Sequence, residues 1–290
     1  MTEPGPRSWI EPLLPAETAA ACEAVGARKV GMDLVSMRML GGLAGAFIGL
    51  GAMLFTVVVS GSDLGFGPTR VLGGVAFSLG LILVVLAGAE LFTGNTLAVM
   101  AWAGGRVSTL ALGRAWAIVY VANFVGALLT VLLVRASNQF EGGGGAIGGT
   151  ALEIASGKTD LGFGEAVALG ILANALVTLA VWLSISARSF TGKVVAILFP
   201  ITAFVAAGFE HSIANMYFVP LGLLLDGNAS ALAATEATTA QLEGLTWGNF
   251  LVKNLLAVTI GNVIGGGLLV GAVYWMVYRR PGARGRAESD

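Results

Sequence analysis

The sequence predicts an all-α membrane protein of six transmembrane helices in two inverted three-helix repeats, the second and fifth helices broken. Three observations carry this. First, the 290 residues are 56% hydrophobic and 11% charged, with a mean hydropathy of +0.84, whereas soluble domains carry about 25% charged residues. Second, six apolar windows, near 37–60, 72–103, 110–134, 163–187, 194–225 and 249–278, are each long enough to cross a bilayer. Third, a motif recurs. Ala87-Gly88-Ala89-Glu90 with Asn95 has the same spacing as Ala207-Gly208-Phe209-Glu210 with Asn215.

The composition excludes other classes. The apolar content is too high for disorder, and the 43 glycines follow no collagen period. A net charge of −1 without a basic block argues against nucleic-acid binding. The single cysteine, Cys22, has no intrachain partner, and with His211 it cannot supply the four ligands of a structural zinc site. No catalytic residue, metal or cofactor is expected.

Residues 1–35 hold no apolar core segment, so they predict a cytoplasmic N-terminal segment and no signal peptide. Pro15-Ala16-Glu17 opens a helix running to about Val30, with Arg28 and Lys29 near its end. That helix lies on the membrane face or covers a pore mouth. Residues 36–278 form the channel domain, with repeats at about 36–135 and 160–278, and residues 279–290 form a tail. Residues 139–150 and 226–246 predict outer loops, the first flexible and glycine-rich, the second carrying Asp226, Glu236 and Glu243.

Orientation follows from the basic residues. With the N-terminus inside, the inner segments hold Arg7, Arg28, Lys29, Arg38, Arg106, Arg114, Arg188, Lys193, Arg279, Arg280, Arg284 and Arg286. The outer segments hold only Arg70, Arg135, Lys158 and Lys253. This bias puts both termini in the cytoplasm. Tyr274, Trp275 and Tyr278 form an interfacial belt before Arg279.

The repeat extends to the third and sixth windows, where Asn123, Gly126 and Leu129 match Asn262, Gly265 and Leu268. Three spans per half make the second half enter the membrane in the opposite sense. The windows at 72–103 and 194–225 exceed one straight span, and polar residues interrupt them at Glu90–Thr96 and Gly208–Asn215. Backbone freed by such breaks is tolerated only where protein or a wet cavity satisfies it. The half-helix N-termini there present positive dipole ends to an anion.

Only Glu90, Glu210 and His211 are ionisable deep in the apolar windows, where each costs on the order of 2.5–3.5 kcal/mol or more. Symmetric placement assigns the two glutamates to accepting the freed backbone N–H groups. His211 has no counterpart, because Leu91 takes the matching position, and it titrates near neutral pH. It is the candidate proton carrier. Thr93 faces a pore or bonds to backbone, and Asn174 binds across helices or lines the path. Lys158 attracts anions into a vestibule or is a solvated loop residue. Phe77, Leu81, Phe92 and Phe204 build hydrophobic constrictions or pack helices.

Leu86–Thr96 and Ala207–Pro220, above all Gly208-Phe-Glu-His-Ser-Ile-Ala-Asn215, resemble the two signatures of the formate/nitrite transporter family. Leu169–Asn174 and Val258–Asn262 are also similar. The resemblance covers roughly residues 15–280 and is closest to the formate branch, on Leu169–Asn174, Met216–Pro220 and Lys158. It implies an aquaporin-like fold and a homopentamer with one pore per protomer in the inner membrane. It implies permeation of formate, nitrite or hydrosulfide. It places a central pore histidine on His211, a nearby threonine on Thr93, constrictions on Phe77, Leu81, Leu91 and Phe204, a lysine on Lys158 and a pore-side asparagine on Asn174. Glu210 and Asn215 belong to the same signature. In some members the N-terminal helix is thought to gate the inner mouth, which falls within residues 1–35. Gly94-Asn95 departs from the Ser-Thr of some formate members, which affects the shape of the first loop.

Two rivals have their own signatures. A water/glycerol-type channel places Asn-Pro-Ala at both breaks, but no proline lies between Pro68 and Pro200. An intramembrane enzyme needs a Ser-His pair or an acid dyad; Ser212 follows His211 directly in sequence, so a helix points the two side chains apart.

Overall fold

The computed structural model describes residues 11–281. Arg7, Arg284, Arg286 and the tail beyond position 281 lie outside them. The described residues form helices, turns and connections, without a strand.

Helix α1 (Pro15–Val30) has proline in its first turn and Arg28 and Lys29 in its last, as its sequence predicts. Asp33 caps α2 (Leu34–Val59), accepting from the backbone of Val35 and Ser36 at 3.0 Å. The Ser36 hydrogen bonds hold the exposed Asp33 carboxyl below its usual range. Next come α3 (Phe66–Leu86), a break, and α4 (Phe92–Asn95), which continues through a short turn into α5 (Val99–Ala103). Helix α6 (Thr109–Ala136) completes this half.

The second half runs α7 (Ala146–Asp160), α8 (Phe163–Ser186), α9 (Phe190–Ala206), a break, and α10 (Ser212–Leu225). The short α11 (Ala229–Ala234) and α12 (Thr239–Glu243) follow. The last helix, α13 (Asn249–Tyr278), is wound as a π-helix over Asn249–Leu256 and Val263–Ala272. Helices α2, α3, α6, α8 and α13 are each long and apolar enough to cross a membrane. At 1.5 Å per residue the 17-residue α9 reaches only about 25 Å and the 14-residue α10 about 21 Å, so each is short for a span.

Small residues set the crossings. A Cβ on Gly45 would overlap the Asn123 carbonyl, and one on Gly126 would overlap the Gly42 carbonyl, so α2 and α6 touch backbone to backbone. Gly261 and Gly265 of α13 meet the Val167 and Ile171 carbonyls of α8 in the same way. Large apolar side chains such as Val125, Leu129, Leu133, Leu268 and Leu269 remain exposed on outward faces.

Three expectations are corrected. Residues 139–150 are not one flexible loop. A short turn at Gln139–Glu141 and three glycines with positive φ lead into α7, whose Gly148, Gly149, Ala151 and Ala155 pack inward. Its weakly patterned, glycine-rich start hid this helix. The 226–246 loop contains α11 and α12, capped by Asn228 and Thr238. Lys158 is not a loop residue, because it belongs to α7.

Candidate functional site

The two helix breaks are built alike. Each contains a glycine with positive φ, Gly88 at 81° and Gly208 at 77°, which lets the chain turn out of the helix. In the first, the Asn123 amide donates to the carbonyls of Gly41 (2.7 Å) and Glu90 (2.9 Å), and its oxygen accepts the Phe92 N–H at 2.9 Å. In the second, the Asn262 amide donates to Gly170 (2.8 Å) and Glu210 (3.0 Å), and its oxygen accepts the Ser212 N–H at 2.9 Å. The Glu90 N–H donates to the Leu40 carbonyl and the Glu210 N–H to that of Leu169. The backbone freed by each break is thus satisfied by neighbouring helices, as a low-dielectric setting demands.

This corrects the expectation for the two glutamates, whose carboxylates do not cap the broken backbone. Glu90 accepts from Asn95 at 2.8 Å and pairs with Lys29 of α1 at 3.1 Å. Glu210 accepts from Asn215 at 2.6 Å and from Asn254 at 3.2 Å, and pairs with Lys158 of α7 at 2.6 Å. Both carboxylates are buried and their lysines partly so. Lys29 was missed as a site residue because in sequence it is one of many basic residues near a helix end. The signal was available: Lys29 and Gly41 stand the same distance apart as Lys158 and Gly170.

Two cavities of similar size lie against these pairs. One, about 250 Å³, lies on the α7 side and is lined by Phe77, Phe204, Lys158, Glu210, His211 and Asn215, with Arg70 and Glu153 among others. The second, about 230 Å³, lies on the α1 side and is lined by Lys29, Leu81, Glu90, Leu91, Asn95 and Lys193, with others. Phe77 and Leu81 are one turn apart on α3, about 6 Å along its axis, and face different cavities. The partition between the cavities is therefore apolar. Phe77 and Phe204 meet edge to face at 5.6 Å on one side of it, and Leu81 and Leu91 lie on the other.

His211 sits at this partition, 2% exposed. Its Nδ1 accepts the Ala214 N–H at 3.1 Å, and its Nε2 lies 2.8 Å from the Thr93 hydroxyl. With Nδ1 occupied as an acceptor, the neutral ring carries its proton on Nε2 and donates to Thr93. Thr93 thereby ties the first break to the second.

Asn174 lines neither cavity. Its amide reaches the Asn262 carbonyl (2.6 Å), the Thr96 hydroxyl (3.2 Å) and the Thr93 carbonyl (3.3 Å). Its backbone carbonyl accepts from the Thr178 hydroxyl. It binds across helices behind Thr93. Phe92 also faces away from both cavities and packs on Tyr120 and Trp116. Among the described residues no cluster of three or more metal-ligating side chains occurs.

Comparison with known proteins agrees with this architecture. A model of the formate/nitrite transporter family matches residues 16–276. The chain is 44% identical over 271 residues to the formate channel FocA of Escherichia coli strain K12, covering 92% of this chain and 95% of FocA. It is 36% identical to a probable formate transporter of Methanothermobacter thermautotrophicus, covering 91% of this chain and 96% of that one. A solved pentameric formate channel with formate bound superposes with a TM-score of 0.79 at 44% identity, over 85% of this chain and 98% of that one. An ion channel of the same family superposes at 0.76 with 28% identity, over 91% and 99%. The relatives are channels or transporters, and the chain's apolar helices make it a multi-pass membrane protein. With the family model spanning nearly its whole length, this chain belongs to the formate/nitrite transporter family.

Proposed function

We propose that the protein conducts formate across the inner membrane through a pore within each protomer of a homopentamer, and that it is not an enzyme. The observation that carries this is the apolar partition between two cavities, each holding a Lys–Glu pair, with one imidazole set against it. The α1 side then faces the cytoplasm with both termini. The six spans form two inverted repeats, with α3–α5 and α9–α10 each counting as one broken span. The matched environments of Asn123 and Asn262 support that layout.

Formate is a small monovalent anion, and stripping its water to pass Phe77, Phe204, Leu81 and Leu91 is costly. His211 offsets this by donating a proton or a positive field while Thr93 holds the ring. The substrate crosses as neutral formic acid in proton-coupled transport, or as an anion beside a charged imidazole in a channel. Lys158, Glu210 and Asn215 form the polar wall from which the anion leaves water, and Asn174 holds the Thr93 loop in place. Nitrite and hydrosulfide, being similarly small and monovalent, are the next candidate substrates.

Stopped-flow flux in proteoliposomes tests the reading, comparing formate, nitrite, hydrosulfide and glycerol across pH. Fast formate influx with little glycerol is expected. Glycerol influx without formate would overturn the substrate assignment.

A further inference from the structure

Lys158 and Lys29 do not leave free charge at the two cavities, because each is paired with a buried glutamate. On the α1 side a different cation remains. The cavity there is lined by two lysines, Lys29 and Lys193, and one carboxylate, Glu90. Lys29 and Glu90 cancel at 3.1 Å. Lys193 has no carboxylate within ion-pairing distance among the described residues, so the lining carries one uncompensated positive charge.

Helix stability does not explain Lys193. It is the fourth residue of α9, whose first turn holds no acidic residue, and a cation at a helix N-terminus opposes the helix dipole. Membrane orientation does not require it at this position either. Arg188, in the same connection, supplies a topogenic charge without lining the cavity. The other cavity differs. Arg70 is also near a helix start, as the fifth residue of α3, but its Nε and Nη2 are spent on the Ala206 and Val205 carbonyls at the end of α9. Two carboxylates, Glu153 and Glu210, line that cavity with Arg70 and Lys158.

We propose that Lys193 is the residue that recruits the anion at the α1-side mouth. A low-dielectric cleft with a net charge concentrates counter-ions. The Lys193 ammonium, half-buried at the rim and free of a protein partner, does this for formate before it meets Leu81 and Leu91. The role rests on the formate-pore reading and acts on capture, not on passage of the partition.

The test uses Lys193→Gln and Lys193→Arg in proteoliposomes of known orientation. Formate influx from the α1 side should show a half-saturating concentration about three- to tenfold higher in Lys193→Gln, with the maximal rate kept within about twofold. Lys193→Arg should restore the wild-type value. Influx from the α7 side should be unchanged in both variants. Raising impermeant salt from about 10 mM to about 1 M should bring the wild-type protein towards Lys193→Gln. Should Lys193→Gln not assemble, Lys193→Met against Lys193→Arg carries the same comparison. An unchanged half-saturation, or an equal loss of maximal rate from both sides, overturns the role of Lys193 while leaving the pore reading intact. A wild-type protein that passes no formate overturns both.

Discussion

Asn123 and Asn262 occupy equivalent places behind the two helix breaks and make the same three hydrogen bonds. Each donates to one carbonyl of an adjoining helix and to the carbonyl of the break glutamate, and each accepts the first N–H of the resuming helix. Both are fully buried. One asparagine amide per break thus replaces backbone bonds that an unbroken helix would make for itself.

Replacing either asparagine with aspartate keeps the acceptor, removes both donors and buries a charge. A loss of about 2 kcal/mol or more is expected for each variant, read as a lower midpoint of thermal unfolding in detergent. A midpoint within a degree of wild type would show that the breaks hold without these bonds.

Gly45→Ala and Gly126→Ala should force α2 and α6 apart, because each new methyl overlaps a backbone carbonyl. Overpacking of this kind costs about 1–3 kcal/mol. Gly113→Ala, on the same α6 with open space around it, should be neutral or gain up to about 1 kcal/mol from helix propensity. Equal effects at the three positions would contradict backbone contact at the crossing.

His211→Asn removes the titrating ring but can still donate to Thr93. Formate flux should lose most of its dependence on pH. A variant that keeps the wild-type pH profile would assign proton handling elsewhere.

Cys22 reports on the docking of α1. It is 2% exposed against Leu97, Met100 and Trp182, and burial pushes its thiol up to about 12. Maleimide labelling near pH 8 should therefore be slow and limited by the lifting of α1. The sign of the linkage is fixed by the upward shift. Docking holds its full strength below the ordinary thiol pKa of about 8.5 and weakens from there to about 12, as ionisation favours the exposed thiol. Glu90→Gln, which breaks the pair with Lys29, should accelerate labelling severalfold. A rate equal to wild type would mean that other contacts, such as Glu23 with Arg279 at 2.8 Å, hold α1 alone.

Much of the molecule is legible in its sequence for a physical reason. Twenty-residue apolar windows are obligatory where no water can satisfy a backbone, so the long helices α2, α6, α8 and α13 announce themselves by length alone. A broken helix at membrane depth needs polar residues at fixed spacing, so Glu90 with Asn95 and Glu210 with Asn215 mark both breaks. His211 stands out as the one ionisable group without a counterpart. Side-chain partners are not fixed by local pattern, and only the tertiary structure decided them. It gave the backbone-capping task to Asn123 and Asn262 and left the glutamates to lysines on α1 and α7, because residues 31 to 61 positions apart in the chain meet only when the helices pack. It turned Phe92 away from the partition and Leu91 towards it, a choice set by the helical phase after the break. It also built α7 from a glycine-rich stretch whose small residues read as a loop until α10 and α11 pack against them.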